Sequence, residues 1–143
     1  MMEKSKPIPQ GKYVPATRYE NLIFTAGMTP RKNGVLILSG KVSADVPLES
    51  YREAAYQAAS NVLLSAKSKL EEGEVIGQVL QLNVFVNAAD GFLGHSKIAD
   101  LVVEYLLQEL GDAAVAARAA LGIASLPGEA PLEVQMICAV KKA

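Results

Sequence analysis

The stretch that decides the fold is "ARAALGIASLPGEAPLEVQMICAV", Ala117 to Val140. It divides into two β-prone runs, around Arg118 to Ile123 and Leu132 to Val140, joined through "ASLPGEAP", whose Pro127-Gly128 pair marks a loop. In the second run Leu132, Val134, Met136, Cys138 and Val140 share one side, which reads as a core face, while Glu133, Gln135, Ile137 and Ala139 share the other. In the first run Leu121 and Ile123 match the apolar side, so parity predicts Arg118, Ala120 and Gly122 on the opposite face, with Glu133. A guanidinium inside so apolar a run calls for a function or a partner.

Working back along the chain, "VLQLNVFV" alternates, with Leu80, Leu82, Val84 and Val86 pointing one way and Val79, Gln81, Asn83 and Phe85 the other. Two helical patterns flank it. From Pro47 to Glu72, Tyr51, Ala55, Ala58, Ala59, Val62, Leu63, Ala66 and Leu70 form one stripe ending at Gly73, and Arg52, Glu53, Gln57, Lys67 and Glu71 lie largely off it. From Ser96 to Leu110, Ile98, Leu101, Val102, Tyr105, Leu106 and Leu110 form the buried side, with Gly111 just past the end. Upstream, "YVPATRY" and "NLIFTAG" are short strands around the polar turn Glu20-Asn21, and "RKNGVLILSG" supplies a turn at Asn33-Gly34 before an aliphatic strand. The order β-β-β-α-β-α-β-β predicts an α+β fold, with two helices on one face of a mixed sheet. Its other face, carrying Arg118, Glu133, Gln81 and Asn83, is too apolar to be fully wet and too polar to be a core, as expected of a surface packed against copies of itself.

The chain has 143 residues, enough for one compact domain, read as residues 11–143 after a loosely held arm at 1–10. With 14 basic and 15 acidic side chains, no excess of charge favours nucleic acid or an anionic membrane. Cys138 is the only cysteine and His95 the only histidine, which excludes an internal disulfide and the common Cys/His metal clusters. No apolar run approaches the roughly 20 residues that span a bilayer. The expectation is a cytoplasmic protein with neither metal nor cofactor.

"ARAALGIASLPGEAPLEVQMICAV", with "GKYVP", "NLIFTAG" and "VFVNAADGF", resembles the YjgF/RidA family. The resemblance implies a chorismate-mutase-like fold, a homotrimer whose sheets form a central barrel, and clefts between subunits. It also implies hydrolysis of reactive 2-imino and enamino acids to 2-oxo acids and ammonia. Residue by residue, Arg118 matches the arginine that holds the substrate carboxylate, and Glu133 the glutamate associated with the hydrolytic water. Tyr13 and Gly27 match cleft-lining positions, and Ser96 stands where an early α-helical asparagine is expected. Ala26-Gly27-Met28 and Tyr13-Val14-Pro15 depart from the family's Ser-Gly-Gln and Tyr-Ser-Gln.

The chemistry follows from the residue types. Arginine grips a carboxylate through two parallel hydrogen bonds and stays charged, while an imine carbon is already electrophilic and needs only a placed water and a proton carrier. Glu133 is the candidate carrier, its pKa raised by apolar neighbours or lowered by Arg118 nearby. Duller readings stand beside these: an Arg118–Glu133 interface salt bridge, a capping or surface role for His95, ordinary strand packing for Tyr13, and an inert buried thiol at Cys138. A small-carboxylate-binding trimer without turnover is the alternative function. Endoribonuclease activity ranks below both, because one histidine cannot form a His-His acid-base pair within a subunit.

Overall fold

A computed structural model describes residues 6–143. Positions 1–5 of the expected arm lie outside the described residues, and positions 6–10 carry no helix or strand. The remaining elements are β1 (Ala16–Tyr19), β2 (Leu22–Thr25), β3 (Arg31–Lys32), β4 (Val35–Leu36), α1 (Arg52–Lys67), β5 (Glu74–Asn87), α2 (His95–Leu110), β6 (Ala117–Ile123) and β7 (Leu132–Lys142). Five strands form one sheet in the order β1-β2-β7-β5-β6, antiparallel throughout except for the parallel β5–β6 pair. α1 packs against β2 and β7, α2 against β5 and β6, and the helices pack against each other, so one face of the sheet is covered. This is the expected α+β architecture.

The third expected strand is instead a small hairpin of its own. β3 and β4 pair with each other around Asn33 and Gly34, whose φ values of 54° and 82° are those a two-residue type I′ turn demands. Its anchor is a polar contact that helical periodicity misses. Gln57, expected off the α1 stripe, is 2% exposed, because its amide donates to Asn61 Oδ1 and Asn61 Nδ2 donates to the carbonyls of Thr29 and Arg31. Buried amides are tolerable when paired in this way.

α1 is shorter than the 47–72 span read from the pattern: a 3-10 turn at Leu48–Tyr51 precedes it, and it ends at Lys67. Its alanines at 54, 55, 58, 59 and 66 are all buried, which lets the helix approach the sheet closely. α2 begins at His95, follows its expected face from Ile98 to Leu106, and stops at Gly111, whose φ is 61°.

β7 alternates as expected, with Leu132, Val134, Met136, Cys138 and Val140 buried. Burial pushes the Cys138 thiol up to about 11, as suits a small core residue. β5 departs from simple alternation. Its register against β7 slips twice, leaving Gly77 and Leu80 as extra residues, so Val79 is buried at 1% and Leu80 is exposed at 41%, the reverse of the expected assignment. Beyond the second bulge Leu82, Val84 and Val86 reach the core on schedule.

β6 corrects the reading more consequentially. Leu82 pairs with Arg118, Val84 with Ala120 and Val86 with Gly122, so Arg118, Ala120 and Gly122 lie on the helix-covered side. Leu121 pairs with Phe85, which pairs in turn with Glu133, all on the open side. Parity assigned from the largest apolar side chains fails here because the strand passes beneath the start of α2, where only small residues fit. A Cβ on Gly122 would fall 2.5 Å from His95 Nε2.

A charged clamp ties the β1–β2 turn to the α1–β5 connection. Arg18 donates from Nη1 to Glu74 Oε1 at 2.6 Å and from Nη2 to Oε2 at 3.0 Å, and also to the carbonyls of Glu20 and Lys69. With Arg18 as the largest cause and the Glu71 N–H assisting, the Glu74 carboxyl is held down to about 2. Because its folded pKa is depressed, its contribution to stability is complete above the ordinary carboxylate range and disappears as pH falls towards 2. Thermal melts at pH 7 and pH 3 should show a smaller acid-induced loss in Glu74→Gln than in the parent; equal losses would contradict the clamp.

Candidate functional site

One half of the candidate site is built where β2 loosens against β7. Phe24 pairs with Ile137 and the Met136 N–H donates to Thr25 Oγ1, whereas Met28 exchanges both backbone hydrogen bonds with Val134. The chain therefore bulges between Thr25 and Met28, and Gly27 comes to lie against the Glu133 side chain. A Cβ on Gly27 would sit 2.2 Å from Glu133 Oε2, so glycine is what leaves the carboxyl its place. Among the described residues no cation pairs with Glu133, and burial raises its pKa. Of the two opposing influences expected on this group, desolvation is the one at work. Tyr13 lines a narrow cleft with Gly27, Met28 and Thr29, its hydroxyl accepting the Gln10 N–H at 3.0 Å.

The other half gathers at the start of α2 on the covered side of the sheet. Arg118 Nη1 pairs with Asp100 Oδ1 at 2.7 Å, and Nη2 donates to the Ser96 carbonyl at 3.3 Å. Ser96 thus contributes a backbone oxygen to the arginine. His95 lies over Gly122 with its ring edge-on to Phe92, centroids 5.4 Å apart. It makes no capping hydrogen bond; the N-cap is Gly94, and the half-buried imidazole packs instead of capping.

The structure thus brings Gly27 against Glu133 and into one cleft with Tyr13, and brings Arg118 together with Ser96, but it separates Arg118 from Glu133. Within one chain Arg118 and Glu133 leave opposite faces of the sheet with β5 between their strands, so no intramolecular salt bridge joins them. Asp100 was not anticipated. Its position four residues after Ser96 puts both on one side of α2, which is the signal that would have exposed it.

The open face carries a polar patch, with Asn83 Nδ2 donating to Gln135 Oε1 at 3.3 Å, set among Phe24 at 38%, Leu80 at 41% and Leu121 at 47% exposure. Among the described residues no group of three or more His, Cys, Asp or Glu is placed to hold a metal, and no helix is long and apolar enough to cross a membrane.

The sequence model of the family described as Endoribonuclease L-PSP matches residues 3–140. The chain belongs to that family, which is the YjgF/RidA family. Among solved structures, this L-PSP domain resembles Atu1372 of Agrobacterium tumefaciens, a protein of unknown function. The identity is 31%, 94% of this chain and 86% of that chain are covered, and the TM-score is 0.83. It shares its fold with the YjgF gene product of Escherichia coli at 21% identity and a TM-score of 0.69, covering 96% of this chain and 94% of that one. Protein TCP17 of Trypanosoma cruzi is 28% identical over 133 residues, 86% of this chain and 81% of that protein.

The close approach at Gly27 has a measurable consequence. In Gly27→Ala the methyl group meets the mobile end of Glu133, so the melting temperature should fall only slightly while the carboxylate is pushed out towards solvent. Carboxyl-carbon NMR should then show the Glu133 titration midpoint moving down towards the ordinary carboxylate range. An unchanged midpoint would mean that Gly27 does not set the position of the carboxyl.

Proposed function

We propose that the protein hydrolyses 2-imino acids, and the enamines that exchange with them, to 2-oxo acids and ammonia, in clefts completed by a second copy of the chain. The observation that carries this reading is Glu133: a carboxyl seated over Gly27, without a cationic partner among the described residues, whose affinity for protons is raised by burial. Such a group can take a proton from water and return it to a departing amine. Arg118 supplies the anchor, its free N–H donors gripping the substrate carboxylate in two parallel hydrogen bonds.

The reaction then balances without a covalent enzyme intermediate. A water oxygen adds to the imine carbon while Glu133 accepts one of its protons. Glu133 returns that proton to the nitrogen, the carbon–nitrogen bond breaks as the hydroxyl oxygen closes to the carbonyl, and the hydroxyl proton leaves on the nitrogen, giving a 2-oxo acid and ammonia, or ammonium where the imine entered as its protonated iminium form. Positioning is much of the catalysis, since the carbon is electrophilic before it binds.

Assembly follows from the separation of the two halves. One subunit presents Arg118 and its neighbour presents Glu133, Gly27 and Tyr13. The exposed Phe24, Leu80 and Leu121 on the open face suit burial against other copies, in a trimer with the sheets turned inward. A second reading, capture of a small carboxylate without turnover, is favoured by Asp100, which already occupies part of the Arg118 guanidinium. Endoribonuclease action has less support, since a net charge of −1 provides no general attraction for RNA phosphates.

Freshly generated 2-imino acids give the test, with 2-oxo acid and ammonia measured over the uncatalysed rate. Glu133→Gln should lower kcat by about 10²–10⁴-fold while small carboxylates still bind. Arg118→Ala should chiefly raise KM. No acceleration by the parent protein, with carboxylate binding intact, would leave the binding reading in its place.

A further inference from the structure

We infer that Asp100 makes the Arg118 anchor selective for ligands that carry a positive nitrogen next to their carboxylate, so that the cleft favours a 2-iminio acid over its 2-oxo acid product. This rests on Arg118 being the carboxylate anchor of the preceding reading.

The two side chains form a close pair, Nη1 to Oδ1 at 2.7 Å, on the same side of α2 as the Ser96 carbonyl. Neither is sealed off. The Asp100 side chain is 65% exposed and that of Arg118 27%, so a small ligand can reach both ends of the pair. The guanidinium has five N–H donors and spends one on Asp100 and one on Ser96, so it can still take a carboxylate. A carboxylate accepts at both oxygens, so Asp100 can hold Arg118 and a second cation together.

The neighbouring charges leave Asp100 in that role. Glu104, one turn further along α2, is taken by Arg52 of α1 and by the Tyr56 hydroxyl. Lys97, one turn earlier, is exposed and lines the outer groove beside Asp100 with Arg52 and Glu104. Of the acidic groups on this side of α2, Asp100 is the one in contact with the anchor.

The electrostatic consequence is simple. Arg118 alone would attract any anion, but Arg118 with Asp100 sums to no net charge and presents a dipole. A bare anion gains from one end of that dipole and is repelled by the other. A ligand with vicinal carboxylate and iminium groups can lie antiparallel to the pair and satisfy both ends. Hydrolysis removes the positive nitrogen and leaves the 2-oxo acid facing an unmatched carboxylate. Substrate is thereby held better than product, and the iminium form, the more electrophilic one, is the form bound.

Two stable probes of equal carbon skeleton test this without turnover: 2-aminobutyrate, which carries the positive nitrogen, and 2-oxobutyrate, which does not. Their Kd values are measured by calorimetry on the assembled protein. The parent should favour the amino acid, and Asp100→Asn should shift the ratio of the two Kd values by about fivefold or more towards the oxo acid. Asp100→Glu should restore the preference, and Arg118→Ala should abolish binding of both probes. Equal strengthening of both probes in Asp100→Asn would make Asp100 a mere competitor for the arginine and overturn the inference. An unchanged ratio would overturn it too, leaving the anchor intact. Failure of both probes to bind the parent would overturn the anchor and the inference together.

Discussion

Leu82 of β5 stands beside Arg118 of β6, and that register decides from which face of the sheet the guanidinium emerges. Because side chains alternate strictly along a strand, a shift of one residue would carry Arg118 to the open face and Leu121 beneath α2. The observed register is enforced by space. The start of α2 comes down over β6, and Ala120 and Gly122 are small enough to pass below it, with the His95 ring lying across Gly122. Arg118 at the near end of the strand can then reach Asp100 and the Ser96 carbonyl. The rest of the candidate site is arranged around that choice: Arg118 belongs to the helix side and Glu133 to the open side.

Under the proposed function, opposite placement leaves a single chain with an incomplete site. Phe24, Leu80 and Leu121 are partly exposed and surround the Asn83–Gln135 amide pair. Such a surface can be covered by another copy, provided that Glu133 on the same face meets a partner there or binds a proton. Glu133 fits the same logic. Its carboxyl is half-buried in one chain, already raised in pKa, and Gly27 keeps its place open.

Much of this was legible in the sequence wherever a regular period meets a single environment. The α1 stripe, the buried side of α2 and the alternation of β7 each face one continuous packed layer, so residue spacing alone locates them. Periodicity carries no information about a bulge, and the extra residues at Gly77 and Leu80 therefore exchanged the expected places of Val79 and Leu80. It also misled at β6, an edge strand, where the large aliphatic Leu121 turns away from the helices and the small residues turn towards them. Buried polar contacts were equally invisible: Gln57 reads as a surface residue until Asn61 and the carbonyls of Thr29 and Arg31 are placed around it. Of the site, Tyr13 and Gly27 were read from family resemblance and Arg118 and Glu133 from the strand pattern together with it, whereas the separation of Arg118 from Glu133 on two faces and the contact of Asp100 with Arg118 needed the strand register.

The proposed division of the site between two copies is tested most directly by mixing two variants, each lacking one half. Arg118→Ala subunits retain the Glu133 half, and Glu133→Gln subunits retain the Arg118 half. Each variant alone should hydrolyse 2-imino acids poorly. Unfolded together and reassembled in equal amounts, they should regain about a quarter of the parent's activity, the share of interfaces at which both intact halves meet. A mixture no more active than its components, although shown to contain hybrid oligomers, would contradict a cleft built from two chains.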